Sequence, residues 1–385
     1  MKRIEVKPVR SRRDRNIFLT FPWRIYRGDP LWVPPLLPER RKLIDPTQGK
    51  FFQDGYAELF IAWRDGKPAG TISLAEDLTS RQQRGFGECI IGFFECIQDL
   101  DVAEALFSKA EHWSREHDLV RMVGTWNLDR EDSRGILIEG RDQPAAVYCG
   151  YNPSYYRDFF VLFGFEKYME DGLAYRIDIN PDTPQIQHLF QLAEKIQKRK
   201  NITVRGANLD DYDAEIDRVL DLQNRGLAHM PDHVPYTRTS IEAMIQPMLK
   251  VVDPELVLFA EIDGQAVGWF PGVPNLNEVF IHLNGLRYPW DYLTALRFSN
   301  YKPESIAIKS VVVPPEYWDT GVGVLMFAEM AKRLVKKGYK WADMSLTGED
   351  NTDTFPLAHR MGARIYKRYR FFVKQVEPDI NSNLN

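Results

Sequence analysis

Two stretches of the chain alternate apolar and polar positions in the same way. "LFIAWRDGKPAGTISLA" (59–75) and "LFAEIDGQAVGWFPGV" (258–273) each give a β-favouring run, an Asp-Gly pair and a second run. Asp65-Gly66 and Asp263-Gly264 suit a two-residue hairpin turn, whose central positions both need positive φ. Each pair is followed four residues later by a glycine, Gly70 and Gly268, which marks a kinked strand or one approached closely by another element. Helical spacing then appears in both halves. Residues 102–117 place Val102, Ala105, Leu106, Ala110 and Trp113 on one face, and residues 324–337 form the counterpart. Each half closes on an Asn-led unit of short helix, glycine and strand: "NPSYYRDFFVLFGFEKY" (152–168) and "NTDTFPLAHRMGARIY" (351–366).

The break between the halves falls at "DINPDTPQ" (178–185), and residues 185–199 open the second half as a helix. The pattern predicts a duplicated α+β chain with units at 1–180 and 181–385.

Composition narrows the classes. The chain has 385 residues, 44% hydrophobic and 27% charged, with a net charge of −4. That is the make-up of a globular protein and speaks against general nucleic-acid binding. Lys2, Arg3, Lys7, Arg10, Arg12, Arg13 and Arg15 crowd the start. They read as a solvated, frayed strand, or as a peripheral contact with anionic lipid or a phosphorylated ligand. No window holds 18 uninterrupted apolar residues, and no apolar region with a cleavage site follows the basic start, so a cytoplasmic location is expected. Cys89, Cys96 and Cys149 lack paired spacing, and His229, His233 and His282 lack metal-ligand spacing; no metal is predicted. The 12% aromatic content fits a filled core or a large apolar pocket.

"SVVVPPEYWDTGVGVLM" (310–326) joins a central strand, read as 305–313, to a helix. Residues without Cβ at 321 and 323 allow close approach to the backbone, and the N–H groups of 321–324 point outward from a helix N-terminus. The stretch resembles the GCN5-related N-acetyltransferase (GNAT) motif V-x-P-x-Y-R-G-x-G-x-G at Val313, Pro315, Tyr317, Gly321 and Gly323. It departs from the motif at Trp318, where the family has Arg or Gln, and at Asp319, where it has Gly. The resemblance covers 205–374 well and 1–178 more loosely. It implies two tandem GNAT-like lobes, each a mixed, mostly antiparallel sheet flanked by helices. It also implies a cofactor site for acetyl-CoA or a longer acyl-CoA at Val311, Val313, Trp318, Gly321, Val322, Gly323, Val324 and Asn351. The matching turn of the first half (92–107) has no glycine between strand and helix and carries Asp99, Asp101 and Glu104. The first lobe is therefore expected to be degenerate, shaping the acceptor side or supporting its partner.

In this family an amine attacks the thioester directly, so the protein needs a base, a backbone donor for the carbonyl and an acid for the leaving thiolate. Glu95 stands inside the apolar run "IIGFFECI". It is a base candidate, or else an outward-turned or salt-bridged acid. The family's usual Tyr position is Ala358, and the corresponding slot of the first half is Phe160; Tyr156, beside Tyr155, is the acid candidate there. His359 reads as a surface residue. Asp129, Glu131 and Asp132 either pair a cationic amine or form a charged turn. "DPLWVPPL" (29–36) and "YNPSYY" (151–156) resemble a bacterial two-lobed acyltransferase-like branch, some members of which N-acylate long-chain amines in a ceramide-synthase-like manner. The reading is a CoA-dependent N-acyltransferase with a small-molecule or lipidic amine acceptor. The alternative is a non-catalytic acyl-CoA-binding or ligand-binding protein that kept the fold.

Overall fold

The computed structural model describes residues 3–128, 132–198, 201–229, 235–246, 249, 251–349 and 360–377. The first half runs β1 (Ile4–Pro8), α1 (Arg12–Thr20), α2 (Pro22–Ile25), α3 (Leu37–Leu43), β2 (Gly55–Arg64), β3 (Lys67–Asp77) and α4 (Leu78–Arg84). It continues through β4 (Gly87–Cys96), α5 (Leu100–Glu116), β5 (Leu119–Gly124), β6 (Ile136–Glu139), α6 (Tyr155–Leu162) and β7 (Glu166–Lys167). There follow β8 (Gly172–Asp178), α7 (Pro184–Gln197), β9 (Ile202–Gly206), α8 (Tyr212–Leu227), α9 (Arg238–Ile245), β10 (Val257–Ile262) and β11 (Gln265–Pro274). The chain ends with α10 (Asn277–Phe280), α11 (Pro289–Arg297), β12 (Ser305–Ile308), α12 (Val322–Lys337), β13 (Trp341–Gly348), β14 (Arg364–Arg370) and β15 (Phe372–Gln375).

Two compact units emerge. The first holds Met1–Gly172, Asn277–Tyr301 and Lys367–Asn385; the second holds Leu173–Leu276 and Lys302–Tyr366. The sheet of the first unit has the order β1-β2-β3-β4-β5-β15-β7, antiparallel throughout except for the parallel pair β4/β5. In the second unit the strands run β14-β8-β13-β12-β11-β10-β9, with β12/β13 parallel. The duplicated pattern is a duplicated topology: hairpin, third strand, crossover helix, parallel fourth strand.

The last strands depart from a simple cut at 180. β15, from the end of the chain, lies between β5 and β7 in the first unit. β8, which follows β7 in sequence, lies between β13 and β14 in the second. Segment 277–301 also belongs to the first unit, although it interrupts the second. Hydrophobic alternation shows where strands are and leaves open which sheet they join.

Helices cover both faces of each sheet because its strands are apolar on both sides. In the first unit, α5 buries Val102, Leu106, Phe107, Ala110 and Trp113 on one face. Phe18, Leu19 and Leu37 cover the other. In the second, α7 and α12 fill one face and α8 and α9 the other. The aromatic richness is largely core filling in the first unit, where Phe94, Phe107, Phe160 and Phe165 pack ring to ring.

Both Asp-Gly turns form, with Asp65 at φ 51° and Gly66 at 76°, and Asp263 at 50° and Gly264 at 80°. Gly70 and Gly268 lie at bulged points of their hairpins, beneath the crossover helices. A Cβ on Gly70 would stand 2.8 Å from Leu106 Cδ1 of α5, and one on Gly268 2.6 Å from Met326 Sδ of α12. The described part of the basic start is not frayed: β1 pairs with β2, and a Ser11/Asp14 capping box opens α1, which satisfies N–H groups that would otherwise favour unravelling. Gly70→Val forces α5 off the sheet and should lower the unfolding free energy by about 1–3 kcal/mol in urea titrations; an unchanged midpoint would show that the close approach is not needed.

Candidate active site

In the second unit, β12 ends at Ile308, shorter than the expected 305–313 strand. The chain leaves the ladder and returns at Val312, which exchanges backbone hydrogen bonds of 2.9 Å with Trp269. Strand alternation turns the backbone groups of Val311 and Val313 away from β11, to the side where an extended ligand would pair. Val313 C=O accepts a 2.8 Å hydrogen bond from Trp318 Nε1. Trp318 thus braces its own loop, edge-on to His229, and keeps an exposed ring face. Gly321, at φ 87°, starts α12. A Cβ there would also meet Ile196 at 2.9 Å, so the fold alone requires glycine at this position.

Gly323 differs. Nothing lies within 4 Å of a Cβ placed on it, and its φ is not positive. Neither packing nor backbone conformation calls for glycine there. The first helical bond of α12 runs from Leu325 N to Gly321 O, and no side chain caps the helix. The N–H groups of Val322, Gly323 and Val324 therefore have no intrahelical acceptor, and the helix dipole favours an anion beside them. The Val322 side chain is in the core, so its contribution would be through the backbone. Asn351 lies outside the described residues.

Next to this loop is a polar cluster that the sequence reading missed. Lys309 Nζ donates to Asp343 Oδ2 at 3.1 Å and to Ser345 Oγ at 2.9 Å. Asp343 also accepts from Ser345 Oγ and Tyr366 Oη, each at 2.6 Å. Asp343 is completely buried. The signal was present: Asp343 and Ser345 are two apart on β13, hence on one face, and Lys309 directly follows the parallel partner strand.

In the first unit, the predicted base and acid meet. Tyr156 Oη donates to Glu95 Oε2 at 2.7 Å and accepts from Cys96 N–H at 2.8 Å. Tyr26, which the sequence did not single out, shares its one hydroxyl proton between Glu95 Oε1 at 3.3 Å and Tyr151 O at 3.0 Å. Tyr155 Oη bonds Cys96 O at 2.8 Å. Desolvation pushes the Glu95 carboxyl up to about 8, against the hydrogen bonds from Tyr156 and Tyr26 that stabilise the anion. Burial, and then the neighbouring Glu95, raise Tyr156 and Tyr26 well above the ordinary phenol range, so both remain donors. The salt-bridge reading of Glu95 fails: its hydrogen-bond partners are tyrosine hydroxyls. Such a carboxyl is largely protonated at neutral pH and exchanges its proton near pH 8.

A bulge in β4 aims this carboxyl. Phe93, at φ 45°, interrupts the ladder. Its N–H donates to Asn127 Oδ1 at 2.8 Å, and its C=O accepts from Thr71 Oγ1 at 2.9 Å. Asn127 is held in turn by Asp132, which is ion-paired with Arg40. Burial alone would raise Asp132, but the Arg40 guanidinium brings it below the usual carboxylate range. Asp132 is thus committed to the bulge and does not wait for an amine; Asp129 and Glu131 lie outside the described residues. Asp99 at the start of α5 is ion-paired with Arg64, which places acid where a phosphate would sit. Asn152 Oδ1 accepts from Leu137 N–H at 2.8 Å and anchors the turn before α6. His282 stacks on Phe298; His233, Ala358 and His359 lie outside the described residues. Among the described residues no group of three or more His, Cys, Asp or Glu is arranged to hold a metal, and no helix is long and apolar enough to cross a membrane.

Twice-repeated hairpin, crossover helix and parallel fourth strand define a tandem GNAT fold. Solved structures agree. A tandem GNAT protein from the clavulanic acid biosynthesis pathway aligns over 98% of this chain and 100% of its own, with a TM-score of 0.60 at 13% identity. A GCN5-related glucosamine N-acetyltransferase region of a fungal multi-domain GH3 beta-N-acetylglucosaminidase aligns over 97% of this chain and 38% of its own, with a TM-score of 0.59 at 13% identity. In sequence, the chain is 28% identical over 380 residues to a bacterial ceramide synthase of Caulobacter vibrioides (strain NA1000 / CB15N), covering 96% of this chain and 97% of that protein. It is 26% identical over 379 residues to protein YghO of Escherichia coli (strain K12), covering 96% and 95%. No family model matches the chain.

The Glu95 carboxyl gives a pH test. Its folded value of about 8 lies above the ordinary 4.5, so between those pH values the folded state keeps a proton that the unfolded state has lost. Stability then falls as pH rises through this window and levels off above it. Glu95→Gln should remove a slope of up to about 1.4 kcal/mol per pH unit from urea-unfolding free energies. Parallel wild-type and variant curves would refute the protonated carboxyl.

Proposed function

We propose that the protein is a CoA-dependent N-acyltransferase whose second unit takes the acyl-CoA. Gly323 carries the reading: with neither a packing nor a conformational demand at that position, close approach of a ligand to the backbone explains the missing Cβ. Pyrophosphate would sit on the N–H groups of Val322, Gly323 and Val324, and the pantetheine arm would lie along Val311 and Val313. The amine lone pair would attack the thioester carbon, the C–S bond would break, and the thiolate would leave with a proton. Glu95 and Tyr156 of the first unit are the candidate acid–base pair; only the ionised form of Glu95, whose share grows as pH approaches 8, would accept a proton. Likeness to a bacterial ceramide synthase along almost the whole of both chains supports a long-chain amine acceptor, since a ceramide is an N-acylated long-chain amine. The thiols of Cys89 and Cys96 are buried and outside any disulfide, which fits work in the reducing cytoplasm.

One observation favours the alternative of a binding protein without turnover. The motif's cation is replaced by Trp318, whose only side-chain N–H is spent on Val313 O, so position 318 offers a phosphate no charged fork.

Calorimetric titration with acetyl-CoA and a long-chain acyl-CoA tests the assignment. Wild type should bind at least one thioester, and Gly323→Glu should weaken it by about a hundredfold or more while leaving the fold intact, because the site has room for a side chain. Binding with thiol release on adding a long-chain amine supports transfer, and binding without release across a panel of amines favours the alternative. Failure to bind either thioester would sink the cofactor site.

A further inference from the structure

Helix α11 carries an apolar face that is exposed among the described residues. Six of the 17 exposed large hydrophobic residues among those described fall between Tyr288 and Tyr301. Trp290 is 61% exposed, Leu293 63% and Leu296 69%, at a spacing of three that puts them in one outward stripe. Tyr292 lies beside them, half exposed. Four of them on a nine-residue helix are more than scattered surface apolarity.

The base of the helix is fixed, which makes the outer face a standing feature of the fold. Asp291 is buried and accepts from Tyr288 N–H at 2.8 Å and from Asn284 Nδ2 at 3.2 Å. Asn284 Oδ1 accepts from Trp23 Nε1 at 2.7 Å. A Cβ on Gly285 would meet Pro35 O at 2.5 Å, so the preceding turn is pressed against the proline-rich 29–36 segment. Arg287 lies over the rings of Trp23 and Tyr288, and Tyr288 stacks on Trp290 at 4.8 Å.

Charge selects the occupant. Residues 287–301 of the first unit contain Arg287 and Arg297 against the single acid Asp291, two positive less one negative, or +1, in a chain of net −4. Asp291 is turned inward as a cap. Two copies meeting through this face would oppose like charges, whereas anionic headgroups would complement them. Trp and Tyr with polar tips, leucines between them and flanking cations are the make-up of a helix that lies in a membrane interface, and nine residues are too few to span it.

We propose that α11 docks the protein on anionic lipid bilayers, with Trp290, Leu293 and Leu296 inserted among the headgroups. The proposal stands apart from acyl transfer, because its readout is vesicle binding without any substrate. Co-sedimentation would use vesicles of phosphatidylcholine with about 30% phosphatidylglycerol and vesicles of phosphatidylcholine alone. Wild type should pellet with the anionic vesicles and far less with the neutral ones. Leu293→Glu/Leu296→Glu, at exposed positions that leave circular dichroism unchanged, should lower the partition coefficient about tenfold or more. Wild type remaining in the supernatant, or a variant that binds equally well, would overturn the proposal. So would a wild-type dimer that the double variant splits while vesicle binding persists, since the face would then belong to a second copy.

Discussion

The exchange of last strands is the constraint on which the rest depends. Each half of the sequence ends in a strand that the other unit's sheet takes up: β15 completes the sheet of the first and β8 that of the second. These strands are interior members with neighbours on both sides. Phe372 of β15 and Tyr175 of β8 are almost fully buried in their host units. Cutting the chain at the apparent boundary would strip each sheet of a paired strand and expose backbone groups that need partners.

Within that frame, each unit uses the same device and applies it differently. A third strand, a crossover helix and a parallel fourth strand bring a helix N-terminus to the end of a strand, and a hairpin glycine lets the helix lie flat. In the second unit the helix start is a glycine loop without a side-chain cap. In the first it is Asp99, neutralised by Arg64, and the unusual chemistry has moved one strand position back to the β4 bulge, where Glu95 sits among tyrosine hydroxyls. The same topology thus leaves an uncapped helix start in one unit and a proton-holding carboxyl in the other.

Much of the fold was legible because its signals are local. Asp65-Gly66, Asp263-Gly264 and the 3.6-residue stripes of α5 and α12 depend on nearby residues alone. The destination of β8 and β15 was not legible, since both would suit either sheet by alternation. At the site, the glycine loop was legible, and an acid in an apolar run and a tyrosine beside an Asn-led turn singled out Glu95 and Tyr156 separately; that they bond each other is set by the fold. Tyr26 was missed because its approach to Glu95 spans 69 residues. The Lys309–Asp343–Ser345–Tyr366 cluster was missed because it is assembled from three separate strands' ends and edges.

The central claim is that acyl-CoA is seated on the start of α12. Hydrogen–deuterium exchange with and without CoA tests it most directly, because amides that gain a partner exchange more slowly. The account predicts new protection confined to peptides covering 311–325, with none at the start of α5. Protection at residues 97–103 instead, or no change anywhere at saturating CoA, would contradict it.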